Sequence, residues 1–338
     1  MIVTMQPAAT LKEITGVIRV LESFGAAPSI SSDCGCTLIT AATSKVPIDA
    51  QQVRSAVGVR DVHEDAHPFK RVSRDYHPQD SVIDARVARF GGGGFTVIAG
   101  PCAVESEEQI HAVAAHVALH GAKGLRGGAY KPRTSPYAFQ GMGVPGLRFL
   151  RDAARANNLA AVSEVMSIDQ VADCIEHLDV LQVGARNMQN FDLLKEVGKT
   201  DKPVLLKRGP SSKIEELLLA AEYIVDAGNP RVVLCERGIR TYETATRNTL
   251  DIAAVPVVKQ LSHLPIIIDP SHAAGKREYV HALTLAALAV GADGVMVEVH
   301  PTPAKAVSDG RQSLHFEEFE KLMEDVRRLS EFRAPVNV

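Results

Sequence analysis

A chain of 338 residues exceeds one average domain and accommodates a barrel of roughly 250 residues with a smaller companion. Hydrophobic residues at 46%, charged residues at 23% and a formal net charge of -3 are ordinary globular values; they exclude a disordered chain and leave no broad basic surface for nucleic acid or membrane. Five cysteines without regular spacing argue against a disulfide framework, and MIVTMQPAATLKE lacks a basic stretch followed by a long apolar run, so a reducing, cytoplasmic location is expected.

Residues 1–66 read as β-α-β-β-α-β. MIVTMQ is a short strand, ATLKEITGVIRVLESFG carries apolar residues at helical spacing up to a glycine stop, and APSISS and TLITAAT are strands joined by DCGC. Cys34 and Cys36 in that junction read as a hairpin turn rather than a metal knuckle, because no second Cys/His pair lies nearby. DAQQVRSAV is a short helix and VRDVHED a last strand, which makes the predicted unit an α+β ferredoxin-like domain. Residues 67–94 follow as a polar, basic linker, FKRVSRDYHPQD, and a hairpin, VIDARVARF, expected to cover the bottom of a barrel; the four glycines after it read as a flexible joint.

From residue 95 to 338 an alternation repeats eight times. The apolar strands are FTVIAG, KGLRGG, AAVSEV, VLQVGA, PVLLKRG, RVVLCERG, PIIIDPSH and GVMVEVH, with helical stretches such as SEEQIHAVAAHVALHG and KIEELLLAAEYIVDAG between them. Eight βα units predict a (β/α)8 barrel of the TIM type, whose sites lie at the C-terminal ends of its strands.

Those strand ends carry the charge. Arg126, Lys131, Arg133, Arg186, Lys207 and Arg237 would place six cations at one mouth of a slightly acidic protein, an arrangement that repulsion and desolvation make costly without an anion. Arginine forks suit phosphate and carboxylate, and lysine supplies a compact charge, so the expected ligand is a polyanion such as a phosphorylated carboxylic acid. Pairing of some of these arginines with acids such as Glu236 is the plain alternative. Cys102, His272, Glu298 and Asp309 form a second set whose thiolate, imidazole and carboxylates suit Mn, Fe, Co or Zn better than Mg or Ca. Their spacing is no local motif; they meet only if strands seven, eight and one adjoin on closure.

The segments GPCAVES, LRGGAYKPRTSPYAFQG, VGARNMQN, VLLKRG, CERGIRTYE, IDPSH, VEVHP and SDGRQSL resemble the 3-deoxy-arabino-heptulosonate 7-phosphate (DAHP) synthases over residues 95–330. The resemblance implies a transferase of the shikimate pathway, which leads to chorismate and the aromatic amino acids, joining phosphoenolpyruvate, erythrose 4-phosphate and water. It implies phosphoenolpyruvate on Arg126, Lys131, Gly184, Ala185, Arg186, Lys207 and Arg237, and erythrose 4-phosphate on Arg133, Thr134, Ser135 and Asp269. One divalent metal would sit on Cys102, His272, Glu298 and Asp309, with Lys131, Cys102 and His272 as catalytic residues and Lys131 as proton donor. The N-terminal unit resembles a regulatory extension found in one subgroup, which implies feedback inhibition by tyrosine or phenylalanine, and the family suggests a homotetramer. Three alternatives remain: the related octulosonate 8-phosphate (KDO8P) synthases, which typically carry a KANRS-like segment where this chain has Lys131-Pro132-Arg133-Thr134-Ser135; a Schiff-base aldolase using Lys207; and a catalytically dead barrel acting as an amino-acid sensor.

Overall fold

A computed structural model describes the chain except at residues 34–35, 42–43, 65–66, 134 and 333–338. The described residues form two compact units, Met1–Gln79 and Asp80–Val338. The first unit therefore runs past residue 66, taking in the polar stretch read as a linker.

In the first unit, β1 (Ile2–Met5), α1 (Leu11–Ser23), β2 (Pro28–Asp33), β3 (Cys36–Ala41), α2 (Ala50–Arg54) and β4 (Val59–His63) follow the expected order. The strands pair antiparallel as β2-β3-β1-β4, so two β-α-β units interleave in one sheet. Helix α1 starts where Thr10 accepts from the Glu13 amide and Glu13 reaches back to the Thr10 amide, a capping box. Its Ile14, Val17 and Leu21, at helical spacing, pack with Val3, Met5, Ile39, Val53 and Val62. Residues Cys34 and Gly35, at the expected turn, lie outside the described residues.

In the second unit, a hairpin of β5 (Ile83–Ala85) and β6 (Ala88–Phe90) precedes eight parallel strands that close into a barrel. These are β7 (Thr96–Gly100), β8 (Gly124–Arg126), β9 (Ala160–Val165), β10 (Val180–Val183), β11 (Val204–Lys207), β12 (Val232–Glu236), β13 (Ile266–Ile268) and β14 (Gly294–Glu298). The outer helices are α3 (Glu107–Leu119), α4 (Val144–Ala156), α5 (Val171–His177), α6 (Phe191–Gly198), α7 (Ile214–Asp226), α8 (Ala254–Leu261), the short α9 (Pro270–Ala274), α10 (Arg277–Ala289) and α11 (Phe316–Glu331). Strand β14 pairs with β7, so the first, seventh and eighth strands do adjoin.

One buried cluster joins Ile83, Ala85, Ala88 and Phe90 of the hairpin to Ile98, Ala160, Val162, Val180, Leu205, Val233, Cys235, Ile267 and Met296 of the strands. The hairpin thus seals one end of the barrel with apolar side chains. Side chains alternate along a strand, so stepping by two from this interior set reaches Glu164, Gln182, Lys207, Arg237, Asp269 and Glu298 at the other end. That parity is why the polar residues converge.

Two expectations change in detail. PIIIDPSH is not one strand: β13 stops at Ile268, Asp269 caps α9 by accepting from the His272 amide at 2.9 Å, Pro270 takes the first helical position, and Gly275 ends the helix. Likewise β10 stops at Val183, and Arg186 lies on a 3-10 turn spanning Ala185–Asn187.

Candidate active site

At the open end of the barrel a cavity of about 470 Å³ is lined by eight cationic side chains: Arg126, Lys131, Arg133, Arg186, Lys207, Arg237, Arg240 and Arg247. Glu164, Gln182, Gly184, Ala185, Asn248, His272 and Asp309 complete most of the wall. The six cations picked out along the chain therefore share one cavity. Arg240 and Arg247 were missed; Arg240 sits inside CERGIRTYE, whereas nothing local distinguishes Arg247 from a surface arginine.

Much of the positive charge is buried. Arg126, Lys131, Lys207 and Arg237 are each less than 9% exposed. Arg126 Nε and Arg133 Nη2 are buried with no hydrogen-bond partner, and an unsatisfied charged donor in a cavity wall calls for an acceptor from a ligand. Burial lowers the Arg237 pKa; Asp269 acts in the opposite direction and Arg247 adds to the lowering.

Acids beneath the wall hold the cations in place. Glu298 pairs with Arg126, and Asp269 pairs with Lys207; all four residues are buried. Burial alone would raise the Asp269 carboxyl, but the His272 ring and the Lys207 ammonium together hold it well below its ordinary value. The sequence reading put Asp269 against erythrose 4-phosphate. The structure buries it completely, and it is not among the cavity-lining residues; it reaches the cavity only through Lys207 and His272. Lys207 Nζ is thus engaged by a buried carboxylate rather than standing free at the strand end.

Two further charged residues, at the ends of β11 and β12, play a different part. Arg208 and Glu236 have the opposite strand parity and meet each other at 2.9 Å, with Asp251 at 2.8 Å from the same guanidinium nitrogen. Ser135 is exposed, with its hydroxyl accepting from the Tyr137 amide at 3.3 Å, and does not line the cavity; Thr134 lies outside the described residues.

At the foot of the cavity Cys102, Glu298 and Asp309 bring a sulfur and two carboxylate oxygens within 4.8 Å of one another. His272 stands just outside that group, with Nε2 3.3 Å from Glu298 Oε1. Its Nδ1–H donates to Asp269 Oδ2 at 2.7 Å, which fixes the tautomer and leaves the Nε2 lone pair facing the cluster. Burial keeps the ring below its ordinary pKa, hence neutral, against the pull of Asp269 and Glu298. Cys102 is 2% exposed, and burial with the Glu298 charge pushes its thiol up to about 11. Lys131 Nζ donates to the Cys102 carbonyl at 2.8 Å and lies 3.1 Å from its sulfur. A buried thiol, two crowded carboxylates and an oriented neutral imidazole fit a borderline divalent cation, which would neutralise the carboxylates and stabilise the thiolate.

Gly184 shows how tightly the wall is built. A Cβ there would lie 1.9 Å from Glu164 Oε1, so the backbone of β10's C-terminal turn carries the Glu164 carboxylate directly against it.

Residues 79–332 match the model of the DAHP synthetase I family, starting beside the boundary between the two units. The chain belongs to the DAHP synthetase I family. Within it, the chain is similar to a phospho-2-dehydro-3-deoxyheptonate aldolase of Thermotoga maritima, 48% identical over 331 residues and 98% of each chain. A crystal structure under that name, also called DAHP synthase, from the same organism superposes with a TM-score of 0.79 over 98% of this chain and 97% of its own. A truncated form of the Thermotoga maritima synthase is 50% identical, with a TM-score of 0.74 over 78% of this chain and 97% of its own. A 2-dehydro-3-deoxyphosphooctonate aldolase of Syntrophotalea carbinolica is 32% identical over 266 residues, 73% of this chain and 95% of the relative. The heptonate relative spans both units, and the octonate relative a smaller part of the chain.

Proposed function

We propose that the barrel condenses phosphoenolpyruvate with erythrose 4-phosphate and water to give DAHP and inorganic phosphate. The observation that carries this reading is a single cavity in which eight cations face a thiol-carboxylate-imidazole cluster. A two-phosphate substrate pair needs the former, and an aldehyde electrophile is served by the latter. The full-length heptonate relative supports the assignment over the octulosonate alternative.

Arg126, Lys131, Arg186, Lys207 and Arg237 are assigned to the phosphate and carboxylate of phosphoenolpyruvate, with the backbone at Gly184 and Ala185 closing that side. Arg133 and Thr134 are assigned to the phosphate of erythrose 4-phosphate, and Ser135, exposed and off the cavity wall, is left out of that set. Asp269 orients Lys207 and His272 rather than touching substrate. Cys102, His272, Glu298 and Asp309 would hold the metal, which when bound supplies a Lewis acid for the aldehyde carbonyl.

Binding both anions in one walled cavity sets C3 of the enolpyruvate against the aldehyde carbon, replacing a bimolecular encounter by a positioned attack. The new bond forms between these carbons, and positive charge develops at C2 of the former enol ether. The carbonyl oxygen takes a proton for which Lys131 Nζ, at the junction of the cationic wall and the Cys102 cluster, is the assigned donor. Water adds at C2 and loses a proton. The phosphate then leaves with its bridging oxygen by carbon-oxygen cleavage as the C2 hydroxyl gives its remaining proton to the departing phosphate, producing the ketone.

The Met1–Gln79 unit is assigned the binding of an aromatic amino acid, tyrosine or phenylalanine, that inhibits the barrel; its separate core and fusion to a complete barrel support this role. A homotetramer in the cytoplasm is the expected setting. The four described cysteines, Cys36, Cys102, Cys174 and Cys235, are free thiols, and no helix among the described residues is long and apolar enough to cross a membrane.

The test is phosphate release from the two substrates, with and without a chelator and with each aromatic amino acid, using arabinose 5-phosphate as the competing aldehyde. The expected result is metal-dependent release with the four-carbon aldehyde. No release with erythrose 4-phosphate under any metal would refute the reading. Removal of residues 1–79 is expected to keep turnover and abolish inhibition, and light scattering during size exclusion checks the tetramer.

A further inference from the structure

In SDGRQSL only Asp309 has a role so far, yet Gln312 is 2% exposed and wholly engaged at the same site. Its Nε2 donates to Glu298 Oε2 at 2.8 Å, while its Oε1 accepts from Arg247 Nη1 at 3.1 Å. The same Arg247 nitrogen lies 3.4 Å from Asp309 Oδ1. A continuous bridge therefore runs Glu298–Gln312–Arg247–Asp309, joining two carboxylates of the candidate metal cluster from behind. The amide cannot be reversed, since its oxygen would then face a carboxylate and its nitrogen a guanidinium.

The backbone makes this bridge stiff. Asp309 sits in the left-handed region at φ 52, and the 3-10 turn Gly310–Gln312 brings the Gln312 amide back to the Asp309 carbonyl at 3.1 Å. A Cβ on Gly310 would lie 2.1 Å from the Pro303 carbonyl oxygen, so this close approach admits glycine alone. Beyond the turn, the Leu314 amide donates to the Glu298 carbonyl at 2.8 Å and the His300 amide to the Leu314 carbonyl at 3.0 Å, tying the segment to the end of β14. One loop thus delivers Asp309 and also the residue that aims Glu298.

We propose that Gln312, backed by Arg247, is a positioning residue that holds Glu298 and Asp309 in the geometry that accepts a divalent cation. The inference rests on the metal assignment above. Glu298 Oε1 is already claimed by Arg126 and lies near His272, so without the Gln312 amide its other oxygen loses its orienting donor. Without Arg247, Asp309 and the Gln312 carbonyl lose their shared partner. Neither residue supplies a ligand atom to the cluster; their effect passes through the carboxylates.

The test measures cobalt(II) affinity of the full-length protein by competition with a chromophoric chelator, together with the sulfur-to-cobalt absorption of a Cys102 ligand. In Gln312→Leu, similar in size but without hydrogen bonds, and in Gln312→Glu, which keeps the Arg247 acceptor but sets a carboxylate against Glu298, the dissociation constant is expected to rise roughly 10- to 100-fold. The metal-free thermal midpoint of Gln312→Glu should fall more than that of Gln312→Leu, because only the former places like charges together. If a Gln312 variant does not fold, Arg247→Met, at a half-exposed side chain, is expected to weaken cobalt(II) in the same direction. Wild-type binding with unchanged affinity in folded Gln312→Leu and Arg247→Met would overturn the proposal. Absence of binding by the wild-type protein would instead overturn the metal assignment beneath it.

Discussion

Asp269→Asn isolates what the buried carboxylate under the cavity does. The replacement keeps the shape and keeps an oxygen to cap α9, since Asp269 Oδ1 accepts from the His272 amide and asparagine caps helices as well as aspartate. What is lost is the charge at Oδ2, which serves the Lys207 ammonium and His272 Nδ1–H. An amide NH₂ would then face two donors. Lys207 is 4% exposed, and Arg237 and Arg126 also depend on this negative charge, so the change strands a buried cation among cations. Removing one partner of a buried ion pair costs about 3–5 kcal/mol, and for a domain of this size each kcal/mol shifts the thermal midpoint by about 2–4 °C, so a fall of roughly 6–20 °C is expected. Scanning calorimetry measures it, and inorganic phosphate should restore more of the midpoint in the variant than in the wild type by occupying the unbalanced cations. Initial rates should show kcat/KM down roughly 10- to 100-fold as the His272 tautomer is released. A midpoint within about 2 °C of wild type, with unchanged KM for phosphoenolpyruvate, would refute the reasoning.

Three further outcomes follow from the same geometry. Because burial pushes the Cys102 thiol up to about 11 whereas the neighbouring imidazole and carboxylates lie below their ordinary values, metal uptake on the proposed ligands would displace one proton at neutral pH, from sulfur; cobalt(II) affinity should rise about tenfold per pH unit between pH 7 and 9 in chelator competition, and should lose that slope in Cys102→Ala. Gly184→Ala should leave the thermal midpoint nearly unchanged, because the flexible Glu164 carboxylate can swing aside, but raise KM for phosphoenolpyruvate several-fold as that carboxylate enters the cationic cavity; an unchanged KM would show that Glu164 finds room elsewhere. Phe90→Ala, at a fully buried position in the hairpin that seals the barrel, should cost about 3–5 kcal/mol in denaturant unfolding while KM for both substrates stays within twofold, since the cavity is at the opposite end.

The eight βα units were legible because each strand is an apolar run bounded by turns and each helix carries its own period, and strands alternating with helices point to a parallel sheet. The candidate cations were legible because the C-terminal ends of barrel strands are where charge is unexpected unless it is used. Parity was not. VVLCE is buried at every position, so nothing along it tells that Cys235 faces the barrel interior and Arg237 the cavity, while Glu236 turns outward to Arg208 and Asp251.

By itself, the sequence determined the repeated units, the family and the chemical types gathered at the strand ends, because periodicity and residue identity are local properties. Only the tertiary structure decided which groups meet: that Asp269 lies behind the wall, holding Lys207 and His272, and that Gln312 and Arg247 bridge Glu298 to Asp309. Those contacts span up to 65 residues of chain and depend on barrel closure, on strand pleat and on loops whose paths are set by backbone hydrogen bonds. Side-chain chemistry is written residue by residue, but the distances through which it acts arise from packing.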